Sequence, residues 1–248
     1  MTGLESYKNS FPHAKIQRSE AGVLEVTLHS HDGSLVFDAD THEEFVGLFR
    51  AISQDEDTRA VILTGAGDAF IDAIDGSKFD FGTAKGFHKM FLEGREVLAN
   101  LINIPVPIIA AVNGPATVHS EYVLLCDVVL ATPETVFQDK PHAAFGIVPG
   151  DGIHSIWPHV IGPVRGRYFV MTQQVLSAED ARAYGAVNEI LPRAQLLPRA
   201  WEIAGKIAAL APLTAKLSRL AVTQPLRRLV AESVPFGLAL ETLSAVLR

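Results

Sequence analysis

Short apolar segments recur along the first three quarters of the chain and predict β-strands. Residues 23 to 29, VLEVTLH, alternate apolar and polar side chains, which is the pattern of a half-buried strand. The segments AVILTG (60 to 65) and VPIIAAVNG (106 to 114) are short, rich in β-branched residues and end in glycine, as buried strands do. DVVLAT and TVFQD supply further strand signals after them.

Amphipathic segments separate these strands and predict helices. Residues 40 to 56 carry apolar side chains at helical intervals, and Thr41 with Glu44 has the spacing of a capping box. Residues 83 to 103 repeat the helical pattern before the third strand. Strands that alternate with helices pair in parallel through right-handed crossovers, so we expect an α/β core over residues 1–192.

The remaining segment, residues 193–248, has helical periodicity and no strand pattern. Its apolar positions fall in QLLPRAWEIAGKIAALAP, in the residues after Pro212, and in SVPFGLALETLSAVLR, with prolines at the expected helix boundaries. We therefore predict an all-helical C-terminal region that follows the core without a flexible linker.

Composition narrows the classes of function. The chain has 21 basic and 28 acidic residues, a net charge of −7, and no basic stripe, which disfavours a nucleic-acid partner. The apolar run at residues 106–112 is far shorter than the ~20 residues that cross a bilayer, and no signal-peptide pattern opens the chain. With Cys126 as the single cysteine, we expect a cytoplasmic protein without a membrane partner.

Chemically distinctive residues concentrate in three loops that follow strands. The first, residues 64–79, is glycine-rich but lacks dinucleotide-binding and P-loop spacing; it could instead turn backbone N–H groups toward a substrate oxygen. The second carries His119 and Glu121, and the third carries His142 and Asp151. A histidine whose far ring nitrogen is bonded to a carboxylate can transfer protons near neutral pH, so these loops are candidates for an active site.

Metal binding and catalysis by a serine nucleophile both lack their usual sequence patterns here. None of the nine histidines falls in a His-Glu-x-x-His motif, and paired cysteines are absent, so we expect no metal. No Gly-x-Ser-x-Gly segment marks a serine nucleophile.

The motifs of the chain resemble those of the crotonase (enoyl-CoA hydratase/isomerase) superfamily along nearly the full length. The segments that carry this resemblance are AVILTGAGDAF, IPVPIIAAVNGPA, LLCDVVLATPETVFQD, FGIVPGDG and GPVRGRYFVMTQQVLSAEDARAYGAVNEILP. The resemblance implies a core of repeated ββα units and a helical C-terminal trimerisation region, hence a homotrimer or a dimer of trimers. It also implies an oxyanion hole of two backbone N–H groups, one from Ile74 and one from Val118 or His119.

Departures from the usual family pattern concern the acid and base groups. Hydratases of the family use two glutamates; Glu121 occupies the first position, but His142 occupies the second. The β-diketone hydrolase branch, typified by 6-oxocamphor hydrolase, resembles this altered pattern and needs no coenzyme A. The resemblance to that branch implies catalytic roles for a set of residues present here: His42, His119, His142, Asp151 and Glu241. Phe37 stands where the branch has a substrate-binding tryptophan.

These residues lead to a hypothesis of cofactor-free hydrolysis of a C–C bond in a cyclic 1,3-diketone. In it, Asp151 orients His142, which takes a proton from water, and His119 with the Ile74 N–H stabilises the oxyanion. In the same hypothesis, His42 and Glu241 form a second pair that positions water or returns a proton.

Two alternatives stay open at this stage. The first is a CoA-dependent hydratase or isomerase that relies on Glu121. The second is a non-catalytic scaffold or RNA-binding member of the superfamily, which the acidic net charge disfavours.

Overall fold

The structure, a computed structural model, describes residues 3–247. The strands are β1 (Ala14–Arg18), β2 (Val23–Leu28), β3 (Val36–Phe37), β4 (Ala60–Gly65), β5 (Ala73–Ile74), β6 (Ile108–Val112), β7 (Val128–Ala131), β8 (Val136–Phe137), β9 (Leu176–Ser177) and β10 (Glu189–Ile190). The α-helices are α1 (Ala39–Ser53), α2 (Ala84–Asn103), α3 (Glu121–Leu124), α4 (Lys140–Phe145), α5 (Ile153–Ile161), α6 (Pro163–Thr172), α7 (Ala178–Ala183), α8 (Arg193–Ala208) and α9 (Pro212–Val246). Short 3-10 helices occur at Leu4–Ser6 and Gly76–Lys78.

The main sheet has six strands in the order β1-β2-β4-β6-β7-β10, and every pair except β1-β2 is parallel. The predicted strands at 23–29, 60–65 and 106–114 are therefore confirmed as its centre. Residues of β4 and β6 are all buried, because helices and loops cover both faces of the sheet. The prediction of an α/β fold is confirmed.

Short pairings outside the main sheet complete the repeated units. β3 pairs in parallel with β5, and Ala116 forms bridges with both Ile71 and Phe137. Each of β2, β4 and β7 is thus followed by a two-residue strand and then by a helix. This succession is the repeated ββα unit that the resemblance implied.

The start of α1 differs from the prediction. The capping box joins Asp38 and Thr41: the Thr41 N–H donates to the Asp38 carboxylate at 2.9 Å, and the Asp38 N–H donates to the Thr41 hydroxyl at 2.7 Å. The predicted pair of Thr41 and Glu44 is wrong, because the Glu44 carboxylate bonds His13 instead. The shift puts His42 in the first turn of the helix.

The C-terminal region is helical, but its boundaries differ from those predicted. Pro225 and Pro235 lie inside the continuous helix α9 instead of ending it. Proline removes one intrahelical hydrogen bond, and packing of α9 against α2 and α5 keeps the helix in place across both sites. A division of the chain at residue 192 and the assembly of trimers stay predictions.

Helix α9 is apolar as well as long. Within residues 3–247, it is the one helix whose length and hydropathy are sufficient to cross a membrane. A search for uninterrupted apolar runs, such as the one at residues 106–112, does not detect α9, because polar residues interrupt its apolar ones. Its Arg219 is buried against the core, where Nε lies 2.6 Å from Oδ2 of Asp127.

Candidate active site

One cavity brings together all the side chains that the sequence singled out. It is bordered by the ββα repeats on one side and by α9 on the other. The proposed residues that line it are Phe37, His42, Ile74, His119, Glu121, His142, Asp151 and Glu241. Segments that follow parallel strands meet at one edge of a sheet, which explains how residues distant in sequence come to share this cavity.

His142 lies in α4, and its two ring nitrogens face different carboxylates. Nδ1 lies 2.6 Å from Oδ1 of Asp139, three residues earlier. Nε2 lies 3.6 Å from Oδ2 of Asp151 and 3.8 Å from Oε2 of Glu241, both beyond hydrogen-bond distance. The expectation that Asp151 orients His142 is therefore corrected: Asp139 holds the ring from behind, and Asp151 faces the opposite nitrogen.

The charges around His142 favour its protonated form. Burial by itself lowers the pKa of the imidazole, but the nearby carboxylates of Asp151, Asp139 and Glu241 outweigh it and raise the pKa well above 6.5. Burial raises the pKa of the Asp151 carboxyl, yet the histidines beside it, His142 first, hold that pKa below its usual value. Asp151 is thus ionised at neutral pH.

His119 is the most constrained residue of the site. Its backbone is left-handed, with φ of 49°, and its ring stacks on Tyr122 with centroids 4.8 Å apart. Nδ1 lies 2.8 Å from Oε1 of Glu121 and 3.2 Å from Oδ2 of Asp151. Burial lowers the pKa of His119, but these carboxylates raise it further than burial lowers it.

Glu121 is fully buried at the start of α3. Burial, followed by the negative charge of Asp151, raises the pKa of its carboxyl to about 7. One oxygen is bonded to His119, and the other, Oε2, is buried without a hydrogen-bond partner among the residues that the structure describes. The carboxyl group is therefore committed to the His119 ring.

His42 and Glu241 do not pair with each other as suggested. Nδ1 of His42 lies 3.0 Å from Oε2 of Glu93 in α2, and Glu241 faces His142. Burial raises the pKa of the Glu241 carboxyl. The pairing fails because Glu241 projects from α9 toward α4, whereas the neighbour of His42 is α2.

A common arrangement links the three histidines of the cavity. Each has a carboxylate on Nδ1: Glu93 for His42, Glu121 for His119, and Asp139 for His142. A carboxylate on Nδ1 requires a proton there and leaves Nε2 as the variable nitrogen. Over residues 3–247, no hydrogen bond to the protein occupies any of the three Nε2 atoms.

Sequence reasoning missed Glu93 and Asp139. The i, i+3 spacing of Asp139 and His142 within one helical turn was a usable signal. Glu93 gave none, since it lies 51 residues from His42 and reads as an ordinary polar position of α2.

Backbone geometry distinguishes the candidate oxyanion donors. The Asp75 N–H donates to the Phe37 carbonyl in β3 at 2.8 Å. In a parallel pair, only every second residue of a strand bonds a given neighbouring strand. The N–H of Ile74, the residue before Asp75, therefore points away from β3. The Val118 N–H donates to the Ile71 carbonyl at 3.2 Å. The His119 N–H donates to no acceptor within residues 3–247, so His119 is favoured over Val118.

Aromatic side chains form the walls around these polar groups. The phenylalanines that line the cavity are Phe37, Phe79, Phe81, Phe87, Phe91 and Phe145. Phe37 packs with its ring centroid 4.3 Å from that of His119. Apolar walls and a few convergent polar groups are typical of a site for a small, largely apolar molecule.

One subset of the polar groups has a spacing compatible with a cation. Donor atoms of His119, Glu121 and Asp151 all lie within 4.8 Å of one another. The sequence predicted no metal. Nδ1 of His119 is hydrogen-bonded to Glu121 and lies within ion-pair distance of Asp151, so His119 itself stands between the two carboxylates.

A ββα core with a cavity of carboxylate-bound histidines at its strand ends defines an α/β enzyme. The chain belongs to the enoyl-CoA hydratase/isomerase family, the crotonase superfamily, whose profile matches residues 18–237. The resemblance noted from the sequence is thereby confirmed.

Similar proteins carry two kinds of activity. The chain is 31% identical over 230 residues to the short-chain-enoyl-CoA hydratase of Clostridium acetobutylicum, covering 90% of this chain and 87% of the relative. It is 47% identical to a solved β-diketone hydrolase of the cyanobacterium Anabaena sp. PCC 7120 bound to (S)-3-oxocyclohexyl acetic acid, with a TM-score of 0.95 and 96% of both chains covered. An enoyl-CoA hydratase/isomerase structure from Mycobacterium paratuberculosis is 26% identical, covers 95% of this chain and 94% of its own, and has a TM-score of 0.87.

Proposed function

We propose that this protein hydrolyses a C–C bond of a cyclic 1,3-diketone and releases a keto acid. The observation that carries the proposal is His142, which stands where hydratases of the family have a glutamate and has Nδ1 bound by Asp139 and Nε2 free of hydrogen bonds within the described residues. The 47% identity to the Anabaena β-diketone hydrolase over 96% of the chain supports it.

The first step is activation of water. Neutral His142 accepts a proton at Nε2 while the resulting hydroxide attacks one carbonyl carbon. Asp139 on Nδ1 and Asp151 near Nε2 stabilise the imidazolium that forms, at 2.6 Å and 3.6 Å respectively. This cluster makes His142 a strong base, but one that must first lose its proton in the resting enzyme.

The second step is collapse of the tetrahedral oxyanion. The N–H groups of Ile74 and His119 and the protonated His119 ring stabilise the negative charge. Collapse re-forms the carbonyl as a carboxylic acid and breaks the bond to the carbon between the two carbonyls. That carbon leaves as an enolate stabilised by the second carbonyl, so the step requires neither a metal nor an organic cofactor.

The ligand of the Anabaena enzyme suggests the shape of the substrate. When the two carbonyls of a bicyclic 1,3-diketone share a bridgehead carbon, hydrolysis of one bond to that carbon gives a ring ketone that carries an acetic acid arm. The (S)-3-oxocyclohexyl acetic acid bound to that relative has this structure. The phenylalanine walls of the cavity suit such a compact carbocycle.

The hydratase relative supports a competing function, in which Glu121 adds water to a CoA thioester. Two observations weigh against it. The Glu121 carboxyl is fully buried and bonded to the His119 ring, and the second glutamate of the hydratase pair is replaced by His142. We therefore assign Glu121 to the support of His119.

The deciding experiment is a turnover assay of protein dialysed against EDTA. The substrates are the bicyclic diketone that yields (3-oxocyclohexyl)acetic acid and, in parallel, crotonyl-CoA. We expect loss of the diketone with formation of the keto acid and no hydration of the thioester. Hydration of crotonyl-CoA alone would favour the competing function, and no turnover of either would favour a non-catalytic member of the family.

Variants connect the activity to the cavity. H142A is expected to lower kcat by about 100-fold or more, as loss of a general base does. H159A is the matched control, because His159 is an exposed histidine of α5 outside the cavity, and it should retain the wild-type rate. Equal rates for H142A and the wild type would contradict the assignment of the base.

The proposal also covers location and partners. We propose a cytoplasmic enzyme whose partner is a small diketone, without nucleic acid or membrane. Packing of α9 against α2 and α5 and burial of its Arg219 against the core support reading this apolar helix as part of the folded enzyme.

A further inference from the structure

Glu93 makes a contact that the mechanism above does not use. Its Oε2 lies 3.0 Å from Nδ1 of His42, and its other carboxylate oxygen accepts a hydrogen bond from Lys89. Lys89 also lies 2.8 Å from Oε2 of Glu43, so the ion pairs connect α1 and α2 beside the cavity. The Glu93 side chain is only 13% exposed.

The charge of Glu93 determines which ring nitrogen of His42 holds a fixed proton. Burial raises the pKa of the Glu93 carboxyl, but His42 and Lys89 outweigh burial and hold the pKa below its usual value. An ionised carboxylate on Nδ1 keeps a proton on that nitrogen. The Nε2 atom is therefore the ring nitrogen left to contact a molecule in the cavity.

The diketone reaction leaves one proton transfer without an assigned residue. His142 accepts a proton from water and His119 stabilises the oxyanion, yet the enolate still has to be protonated at carbon. Within the described part of the chain, His42 is the remaining histidine that lines the cavity, and its ring centroid lies 6.3 Å from that of His119. Phe37 and Phe79 border its ring, with centroids 5.9 Å and 6.0 Å from that of His42.

We propose that Glu93 is a positioning residue that holds His42 as the proton donor to the enolate carbon, an inference that rests on the proposed function. The proton leaves Nε2 of His42 and forms the new C–H bond with the electron pair of the enolate C=C. An oxygen lone pair restores the C=O bond. Neutral His42 then regains a proton from solvent, and the His142 imidazolium releases the one it took from water.

A donor held on one wall of the cavity protonates one face of the enolate. In D2O the wild-type enzyme should therefore place deuterium in one of the two diastereotopic C–H positions of the α carbon that bond cleavage releases, which 2H NMR of the product distinguishes. Product incubated with the enzyme in D2O controls for later exchange. Deuterium in both positions from the wild-type reaction would overturn the role of His42 while leaving diketone hydrolysis itself intact.

The variant E93Q separates charge from position. The glutamine side-chain oxygen can still accept a hydrogen bond from the Nδ1–H, but it no longer stabilises the protonated ring. We expect kcat to fall about tenfold or more while KM changes by less than about twofold. Wild-type kcat in a folded E93Q protein would overturn the proposal.

Two further variants test whether Glu93 acts through His42. H42Q should lower kcat by about 100-fold and place deuterium in both positions, and E93Q/H42Q should lose no more than H42Q does. Independent, additive losses would contradict a positioning role. If E93Q does not fold, the isotope pattern of H42Q still decides, because one-face deuteration by H42Q would overturn the assignment of the donor.

Helix α1, which carries His42, also contains a matched control. Nδ1 of His13 lies 2.7 Å from Oε2 of Glu44 in α1, a pair of the same type that does not line the cavity. E44Q should retain both the wild-type kcat and the wild-type deuterium pattern. A loss in E44Q equal to that of E93Q would show an effect of helix α1 as a whole and overturn the proposal. Wild-type protein that leaves the diketone intact would instead remove the proposed function, and this inference with it.

Discussion

Asp139 binds Nδ1 of His142 from three residues earlier in the chain, with the two atoms 2.6 Å apart and both side chains buried. Because the pair spans a single turn at the start of α4, its geometry depends on local helix formation and little on the packing of distant elements. Asp151 is thereby free to face Nε2, where a substrate water would lie.

We first predict that D139N lowers kcat/KM by on the order of 100-fold. The asparagine oxygen can still orient the ring, but a neutral partner stabilises the imidazolium less than a carboxylate does. Steady-state kinetics with the diketone, combined with thermal unfolding to verify the fold, would measure the effect. A D139N enzyme with wild-type kcat/KM would assign the support of His142 to Asp151 after all.

The second prediction concerns pH. Because the pKa of His142 is raised above 6.5, the residue is protonated at neutral pH, and the active neutral form increases as pH rises. We expect kcat/KM to increase with pH and to reach half of its maximum above pH 6.5. A profile whose rising limb is centred at or below pH 6.5 would contradict the assignment of His142 as the base.

The variant D151N tests the same pH dependence of kcat/KM. Apart from burial, the negative charge of Asp151 is the largest influence on the pKa of His142, and it raises that pKa. Removal of the charge should therefore move the rising limb toward lower pH. A limb that stays in place in D151N would show that another group controls it.

The main strands could be predicted because their signal is local. AVILTG at 60–65 coincides with β4, and VLEVTLH includes all of β2. Two-residue strands such as β3 and β5 exist only through their pairing with each other, 37 residues apart in register, and no local pattern marks them. The prediction that prolines end the C-terminal helices failed for a related reason. Packing against α2 and α5, which the sequence does not show, allows α9 to continue through Pro225 and Pro235.

The site was predictable as a set of residues but not as a set of pairs. Loop position and the resemblance were enough to predict that His142, Asp151 and Glu241 belong to one site, and all three line the same cavity. Which carboxylate meets which ring nitrogen depends on the direction of side chains across elements. Glu93 reaches His42 from another helix, and a sequence contains no signal for that approach.

The third prediction is that R219M lowers the free energy of unfolding by about 3–5 kcal/mol. Arg219 is buried and donates to Asp127 and to the carbonyls of Ile102 and Ile104, so methionine removes both the charge that pairs with Asp127 and the donor to the two carbonyls. Urea unfolding followed by circular dichroism would measure the loss. R228M is the control, because Arg228 is exposed on the same helix, and a loss as large in R228M would contradict this explanation.

The last prediction is that the protein assembles as a trimer or a dimer of trimers. Leu213, Leu217 and Leu220 recur at i, i+4 and i+7 along α9, and Val164, Tyr168 and Met171 do so along α6; all six are between 50% and 79% exposed in the single chain. Exposed apolar stripes of this kind mark contacts between proteins, because leaving them in water is unfavourable.

Light scattering at micromolar concentration should therefore give three or six times the chain mass of 26.8 kDa. L217K places a charge in the α9 stripe and should shift the population toward monomers, whereas V222K, about half a helical turn away from Leu220, should leave the assembly intact. A wild-type monomer, or equal dissociation of both variants, would contradict an interface built on this stripe.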